Sequence, residues 1–240
     1  MKFLVVVPTY NEIQNLRGIV TQILKVADQS AVLSGVEAMR ILIVDDTSRD
    51  GTGELADGIA KNEPRVSVLH RAKKEGLGKA YISGFNWGLH QGYDAICEMD
   101  ADFSHDPKYL VDMWKLLKKY DVVIGSRYVP GGGVRNWSPS RKFISKGGSL
   151  YARTLLGMDV RDLTGGYNAW KREVLEAVDL TAVQSEGYAF QIELKYRAWK
   201  KGFKIIETPI VFDDRTQGKS KMSKKIFLEA IVRVAAMRLD

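Results

Sequence analysis

Apolar residues fall along this chain in short dense blocks separated by longer amphipathic stretches. Residues 3–7, 40–44, 66–70, 95–99 and 122–125 are rich in aliphatic and β-branched side chains and read as strands. Between them, about 12–27, 51–61, 78–91 and 107–119 repeat apolar positions at helical spacing. Short apolar runs alternating with helices predict an α/β fold with a mostly parallel central sheet and helices on both faces. The second half is less regular. Gly131-Gly132-Gly133 reads as a mobile loop, followed by helices at about 140–156, 172–178 and 188–201, with a turn at Asp162-Leu163-Thr164-Gly165-Gly166-Tyr167. Strands are expected within 203–212, then a Lys-rich loop over 213–221 and a C-terminal amphipathic helix over 224–239. No internal repeat or low-complexity linker interrupts the pattern, so a single domain over 1–240 is expected.

Composition narrows the class. With 45% hydrophobic and 27% charged residues the chain is globular rather than disordered. Cys97 is its single cysteine, which excludes an internal disulfide framework or a Cys-rich zinc site and fits a cytoplasmic setting. The N-terminal apolar run is too short for a secretory signal, and no uninterrupted run approaches a membrane span. A formal charge of +7 points to anionic partners. The stretch 122–158 has no carboxylate but contains Arg127, Arg135, Arg141, Lys142, Lys146 and Arg153. A solvated basic face would explain it; so would a surface for phosphate, nucleic acid or lipid headgroups.

In open parallel sheets, ligands bind outside the carboxyl ends of the strands. Polar and acidic groups collect there: Pro8-Thr9-Tyr10-Asn11-Glu12, Asp45-Asp46 and Asp100-Ala101-Asp102. Carboxylates at i and i+2 converge on one side of an extended segment. Mg²⁺ sites often combine one or two such groups with substrate phosphates. Helix capping accounts for Ser48 or Asp50, but not readily for two consecutive carboxylates at a strand end. Neither Gly-x-Gly-x-x-Gly nor a Walker loop is present, which argues against NAD and ATP sites of the usual kind.

Taken in order, Val7-Pro8-Thr9-Tyr10-Asn11-Glu12, Val44-Asp45-Asp46, Gly76-Leu77-Gly78, Asp100-Ala101-Asp102, Gly125-Ser126-Arg127-Tyr128 and Arg215-x-x-Gly218-x-Ser220-Lys221 resemble the family 2 inverting glycosyltransferases of the GT-A (Rossmann-like) fold. The Arg127 stretch, with Asn136-Trp137, Arg141-Lys142 and Ser145-Lys146, is most similar to polyprenyl (dolichol) phosphate mannose synthases. The resemblance implies transfer of mannose from GDP-mannose to a polyprenyl phosphate. Pro8, Tyr10, Glu12, Val44, Asp46, Ala101, Arg215 and Lys221 would then line the donor, within a nucleotide-sugar half of about 1–126. Asp100 and Asp102 would hold Mg²⁺ or Mn²⁺. Ser104 stands where relatives often carry Gln, which leaves the third ligand open. In an acceptor half of about 127–240, Arg127, Arg141 and Ser145 would hold the acceptor phosphate; Asp100, Asp102, Arg127 and Arg215 form the expected catalytic set. Arginine suits bidentate phosphate contacts, and Ser145 lies one helical turn beyond Arg141.

A phosphate is already an anion at neutral pH and attacks without a protein base, whereas a hydroxyl acceptor requires one. Asp162 is the candidate for that role, and is expected to be structural instead. His105 is expected to be a structural histidine. The C-terminal helix carries Ile226, Phe227, Ala230, Ile231, Val234 and Met237 on one face, suited to core packing or to a membrane interface. Peripheral association with the cytoplasmic face of a membrane, with a possible anchoring partner, follows from a lipid acceptor. Two other readings stand beside this one. The donor can be a UDP-sugar such as UDP-glucose, or the acceptor a soluble hydroxyl. From a different class, a non-catalytic binder of anionic ligands would use Tyr128, Trp137 and Tyr151 among its basic residues. Nucleic acid is not an expected partner, because the acidic loops repel phosphates unless a cation intervenes.

Overall fold

A computed structural model describes residues 1–30, 39–183, 185–214 and 224–238. Strand β1 (Phe3–Thr9) is buried along its whole length, as a central strand covered on both faces must be. Its alternation divides two apolar layers: Phe3, Val5 and Val7 join one cluster, Leu4 and Val6 the other. Helix α1 (Leu16–Gln29) buries Leu16, Ile19, Val20, Ile23 and Ala27 in the first layer. The chain continues through β2 (Met39–Asp45), α2 (Thr52–Asn62), β3 (Val66–His70), α3 (Leu77–His90) and β4 (Ala95–Glu98). Helix α3 lies close on the opposite face. A Cβ on Gly84 would come within 2.4 Å of Val6, and one on Gly88 within 2.6 Å of Ile96.

After β4, a 3₁₀ turn (Pro107–Tyr109) leads into a short α4 (Leu110–Leu116), so the helix expected over 107–119 is tighter and shorter. Next come β5 (Val122–Ser126), β6 (Gly133–Arg135), α5 (Pro139–Leu156), β7 (Asn168–Lys171), α6 (Arg172–Ala177), α7 (Gly187–Lys200), β8 (Ile205–Pro209), β9 (Val211–Asp213) and α8 (Lys224–Met237). The main sheet has the order β3-β2-β1-β4-β7-β5-β8. Every pairing in it is parallel except those of β7, which runs antiparallel to both β4 and β5. The α/β expectation with a mostly parallel sheet holds.

Three local readings change. Helix α1 starts at Leu16 rather than near residue 12, because residues 12–15 turn back, with Asn15 and Leu16 N–H groups on the Glu12 carbonyl. The glycine run at 131–133 is no mobile loop but a hydrogen-bonded turn into β6, with Gly132 N–H on Val129 and Gly133 N–H on Ile210. Strand β7 was not foreseen: Asn168-Ala169-Trp170-Lys171 is short, and its strand character comes from its two neighbours. Helix α8 packs as expected, with Val234 and Met237 in the cluster that holds Ala152 and Leu156 of α5. The side chains of Ile226, Phe227 and Ala230 lie outside the described residues.

Candidate active site

Parallel register brings the carboxyl ends of β1, β2 and β4 to one edge, with Thr9 beside Asp45 and Val6 beside Glu98. The loops after β1 and β2 are laced together. Asn11, in a left-handed conformation (φ 57°), donates its N–H to Ser48 Oγ and accepts from Arg49 N–H, both at 2.9 Å. Glu12 N–H reaches Thr52 Oγ1 at 2.9 Å, and Asp50 accepts from Thr52 and Ile13. Ser48 and Asp50 are thus structural, but as ties between two loops rather than as the expected helix cap: the N-cap position of α2 is Gly51, with no side-chain cap bond.

The expected donor residues divide. Tyr10 presents its ring to Lys74 Nζ, 3.4 Å from the centroid, and Glu12 accepts from Asn15 Nδ2 at 2.8 Å. Pro8 and Val44 are neighbours across β1 and β2 and both are buried. The Val44 side chain belongs to the apolar layer beneath α3, so it supports the edge rather than faces a ligand. Asp46 is buried and ion-paired with Arg71, which also bonds Glu75 at 2.7 Å, and it accepts from Gly76 N–H at 3.3 Å. Its carboxylate therefore fixes the 71–76 segment, and Arg71 is a residue that the sequence reading missed. The signal was there in Arg71-Ala72-Lys73-Lys74 just before the Gly76-Leu77-Gly78 helix start. Arg215 and Lys221 lie outside the described residues.

Asp100 and Asp102 follow β4. The Tyr81 hydroxyl donates to Asp100 at 2.9 Å, and Ser104 N–H to Asp102 at 3.1 Å. Phe103, at φ 63°, sets its ring over Gly18 of α1, where a Cβ would come within 2.8 Å of it. This anchor fixes the direction of the loop. His105 is buried, accepts the Asp100 N–H at 3.0 Å and stacks on Tyr167 at 4.7 Å, the structural role expected of it. Among the described residues, no three acidic, histidine or cysteine groups form a ready-made cation cage. Two carboxylates at a strand end are still a donor set that suits Mg²⁺ or Mn²⁺ when a ligand's phosphates complete the coordination. The Ser104 hydroxyl is buried without a hydrogen-bond partner, an orphan that a cation or its water would satisfy.

The acceptor candidates also come together. Arg127 is buried and bidentate on Asp162, with Nε at 2.7 Å and Nη2 at 2.6 Å; Nη2 also reaches Thr164 Oγ1 at 3.0 Å. Burial alone would raise the Asp162 carboxyl, but the adjacent guanidinium outweighs it and holds it below the usual carboxylate range. Asp162 is thus a structural counter-ion, as expected. The guanidinium of Arg127 faces the rings of Tyr128, Trp137 and Phe212 at 5.2, 5.4 and 5.6 Å. Arg141 stacks 4.1 Å over Trp137 and pairs with Asp214 at 2.6 Å. Ser145 accepts from the Tyr128 hydroxyl at 2.7 Å. The expected phosphate site of Arg127, Arg141 and Ser145 therefore needs amending: Arg127 has two of its nitrogens committed, and both arginines arrive ion-paired. Trp137 was quoted in sequence as part of a motif. In the fold its buried indole N–H is unpartnered beside both arginines, an available donor for an anion.

Beneath the loop that carries Asp100 and Asp102 lies a buried network that sequence reasoning missed. Glu98 accepts from Trp170 Nε1 at 2.6 Å, Asn168 Nδ2 at 3.4 Å and Gln191 Nε2. Burial raises its pKa to about 7 against those hydrogen bonds. Lys195, pushed down to about 8 by burial, caps the Gly165 and Leu163 carbonyls at 2.6 and 3.1 Å. An acidic residue inside an apolar strand was the available signal. A cavity of about 260 Å³ near Lys2, Arg40 and Trp87 lies by the amino ends of β1 and β2, away from these loops.

Comparison with known proteins bears on this geometry. Residues 4–179 match the family model described as "Glycosyl transferase family 2". The chain is 47% identical over 234 residues to an undecaprenyl-phosphate mannosyltransferase of Micrococcus luteus, covering 98% of this chain and 93% of that one. It is 49% identical over 234 residues to a polyprenol monophosphomannose synthase of Mycolicibacterium smegmatis, covering 97% and 85%. A crystal structure of glucosyl-3-phosphoglycerate synthase from Mycobacterium tuberculosis, with Mn²⁺, UDP and glucosyl-3-phosphoglycerate, superposes with a TM-score of 0.67 at 19% identity, over 99% of this chain and 78% of that one. Another, with phosphoglyceric acid, gives 0.70 at 17% identity over 98% and 79%. At such identity the likeness shows the fold, which is GT-A.

Proposed function

This chain belongs to glycosyl transferase family 2, and from that premise we propose that it moves mannose from GDP-mannose to a polyprenyl phosphate. The observation that carries the reading is near-complete alignment with two polyprenyl-phosphate mannose transferases at almost half identity. The site supports it. A basic, aromatic cluster of Arg127, Trp137, Arg141 and Ser145 sits on the acceptor half, and the nearby Asp162 is spent on Arg127. An acceptor that needs no base suits a site whose buried carboxylate is already paired.

The reaction is a single in-line displacement with inversion. A phosphate oxygen of the acceptor attacks the anomeric carbon; the bond from that carbon to the donor's diphosphate breaks, and GDP leaves. Arg141 and the Trp137 N–H, with Ser145, would orient the attacking phosphate. Asp100 and Asp102, with Ser104, would hold Mg²⁺ or Mn²⁺. When bound, the ion neutralises charge on the departing diphosphate. Tyr10, Glu12 and the segment that Asp46 fixes through Arg71 would border the donor; Arg215 and Lys221, outside the described residues, would add positive charge to it. One domain would carry both halves, 1–126 for the donor and 127–240 for the acceptor. No helix among the described residues is long and apolar enough to cross a membrane. We place the enzyme peripherally at the cytoplasmic face, with or without an anchoring partner.

The test is transfer of labelled sugar into an organic-extractable product. GDP-mannose and UDP-glucose are supplied separately, each with and without polyprenyl phosphate and divalent ion. Lipid label from GDP-mannose alone, abolished by Asp102→Ala, is the expected result. Label from UDP-glucose would replace the donor. Absence of any lipid product from folded protein would overturn the acceptor.

A further inference from the structure

Helix α7 is buried continuously from Ala189 to Tyr196, and Gln191, Glu193 and Lys195 lie within that stretch, residue types rarely buried unless paired. Phe190 packs on the end of the segment that Asp46 fixes: a Cβ on Gly78 would come within 3.0 Å of its ring. One residue on, Gln191 donates to Glu98 and accepts from Asn168 Nδ2 at 2.8 Å. One turn further, on the same face, Lys195 donates to the carbonyls of Leu163 and Gly165. Asn168 Nδ2 also reaches the Gly165 carbonyl at 3.2 Å, and the Gly165 N–H returns to Asp162, which holds Arg127. A continuous chain of hydrogen bonds thus runs from Glu98, two residues before Asp100, to Arg127. It is matched donor to acceptor. Glu98 Oε1 takes Trp170 Nε1 and Asn168 Nδ2, and Oε2 takes Gln191 Nε2. Asn168 Oδ1 has no partner among the described residues, so the three acceptors around Nδ2 fix which way its amide faces.

We propose that Glu98 is a positioning residue that, through Gln191 and Asn168, sets the two halves of the site in register. On one side is the loop of Asp100 and Asp102; on the other is the 162–167 turn with Arg127. This rests on the reading of those halves as donor and acceptor sites, and adds what holds their separation. Replacing buried charges by apolar residues of similar volume is often neutral or stabilising, so stability does not account for a carboxylate in this apolar layer. A fully matched polar network instead specifies one arrangement of the elements it joins. An in-line displacement needs that precision, since a misplacement of about 1 Å costs about 100-fold in rate.

Glu98→Gln tests this because the mismatch it creates can be followed along the chain. With the amide oxygen facing Trp170, the amide nitrogen meets Gln191 Nε2, donor against donor. If Gln191 turns over, its nitrogen meets Asn168 Nδ2; if Asn168 turns over in response, its oxygen meets the Gly165 carbonyl. The error ends at the acceptor turn. Adding Gln191→Glu to Glu98→Gln moves the charge across the same hydrogen bond and restores every donor–acceptor match. Transfer is measured well below each variant's Tm, with kcat and KM separated for donor and acceptor, and Mn²⁺-dependent GDP binding is titrated alongside. Glu98→Gln is expected to lower kcat about 100-fold. Both KM values and the GDP affinity should stay within about threefold of wild type, and the double variant should recover kcat to within about fivefold. A single variant with wild-type kcat, whatever its Tm, overturns the proposal, as does a double variant that regains Tm without kcat. So does a loss that falls on either KM or on GDP affinity, which would put Glu98 in a substrate site. Wild-type transfer to polyprenyl phosphate decides the acceptor reading separately. If the wild type transfers elsewhere, water included, that reading falls and the same variants are compared on the acceptor it uses.

Discussion

Replacing Asp162 with asparagine separates two chemistries that the fold would otherwise leave side by side. The carboxylate is fully buried and receives Arg127 N–H at 2.9 Å, Arg127 Nε at 2.7 Å, Nη2 at 2.6 Å and Gly165 N–H at 3.0 Å. The amide keeps one acceptor oxygen but removes the charge that balances a guanidinium only 5% exposed. Breaking one side of a buried pair typically costs about 3–5 kcal/mol. The retained oxygen puts Asp162→Asn near the lower end, about 3 kcal/mol. For a chain of this size each kcal/mol moves Tm by roughly 2–4 °C, so a fall of about 6–12 °C is expected. In a cycle with Arg127→Met, the double variant Arg127→Met/Asp162→Asn removes both charges and should regain much of that loss, giving a coupling energy of roughly 2 kcal/mol. The assay is thermal unfolding of all four species, with transfer measured well below the lowest Tm. A Tm for Asp162→Asn within about 2 °C of wild type, together with abolished transfer, would refute the reasoning. Asp162 would then be a proton acceptor, and a hydroxyl acceptor would follow.

Other outcomes are expected from the same geometry. Ser104→Ala removes an unpartnered buried hydroxyl, so the metal-free protein should keep or gain stability, by up to about 1 kcal/mol. The extra stabilisation given by GDP with Mn²⁺ should shrink in the same variant, as thermal shift with and without the ion would show; an unchanged ion response would remove Ser104 from the metal site. Trp137→Phe deletes the orphan indole N–H while keeping the ring under Arg141. It should leave Tm nearly unchanged and raise the KM for polyprenyl phosphate by about 10-fold, the worth of one hydrogen bond to a charged group. A rise in KM for the donor alone would contradict that assignment. The pH dependence follows from Asp162, whose pKa is lowered in the fold relative to its usual 3.8. Its contribution is fully present above that value and lost as pH falls through the lower folded value. Denaturant midpoints should therefore drop below about pH 4, and Asp162→Asn should lose less over that interval. Equal acid sensitivity in the two proteins would mean that the pair does not control it.

Much of the sheet edge that carries the acidic loops was legible in sequence because its signals are local. A strand that ends in Asp100-Ala101-Asp102 announces itself through the alternation before it, and parallel strands must deliver their loops to one edge. Val44 shows the limit of that inference: a residue can stand at the right place in a motif and still turn its side chain into the core. Arg71 shows the converse: the basic run that it opens is visible in sequence, but not the carboxylate, 25 residues away, that it neutralises.

The sequence by itself determined the class of the fold, the order of the early strands and helices, and the run of motifs that ties the chain to its family. These depend on periodicity and on short spacings, which are properties of neighbouring residues. Tertiary structure alone decided how the second half closes the site. Strand β7 gains its identity from β4 and β5, and by running antiparallel it returns the turn at 162–167 to the edge that carries Asp100 and Asp102. That return pairs Asp162 with Arg127 across 35 residues, and Asn168 with Glu98 across 70. Whether Asp162 is a base or a counter-ion depends on which charge is buried beside it, and burial exists only once the chain has folded.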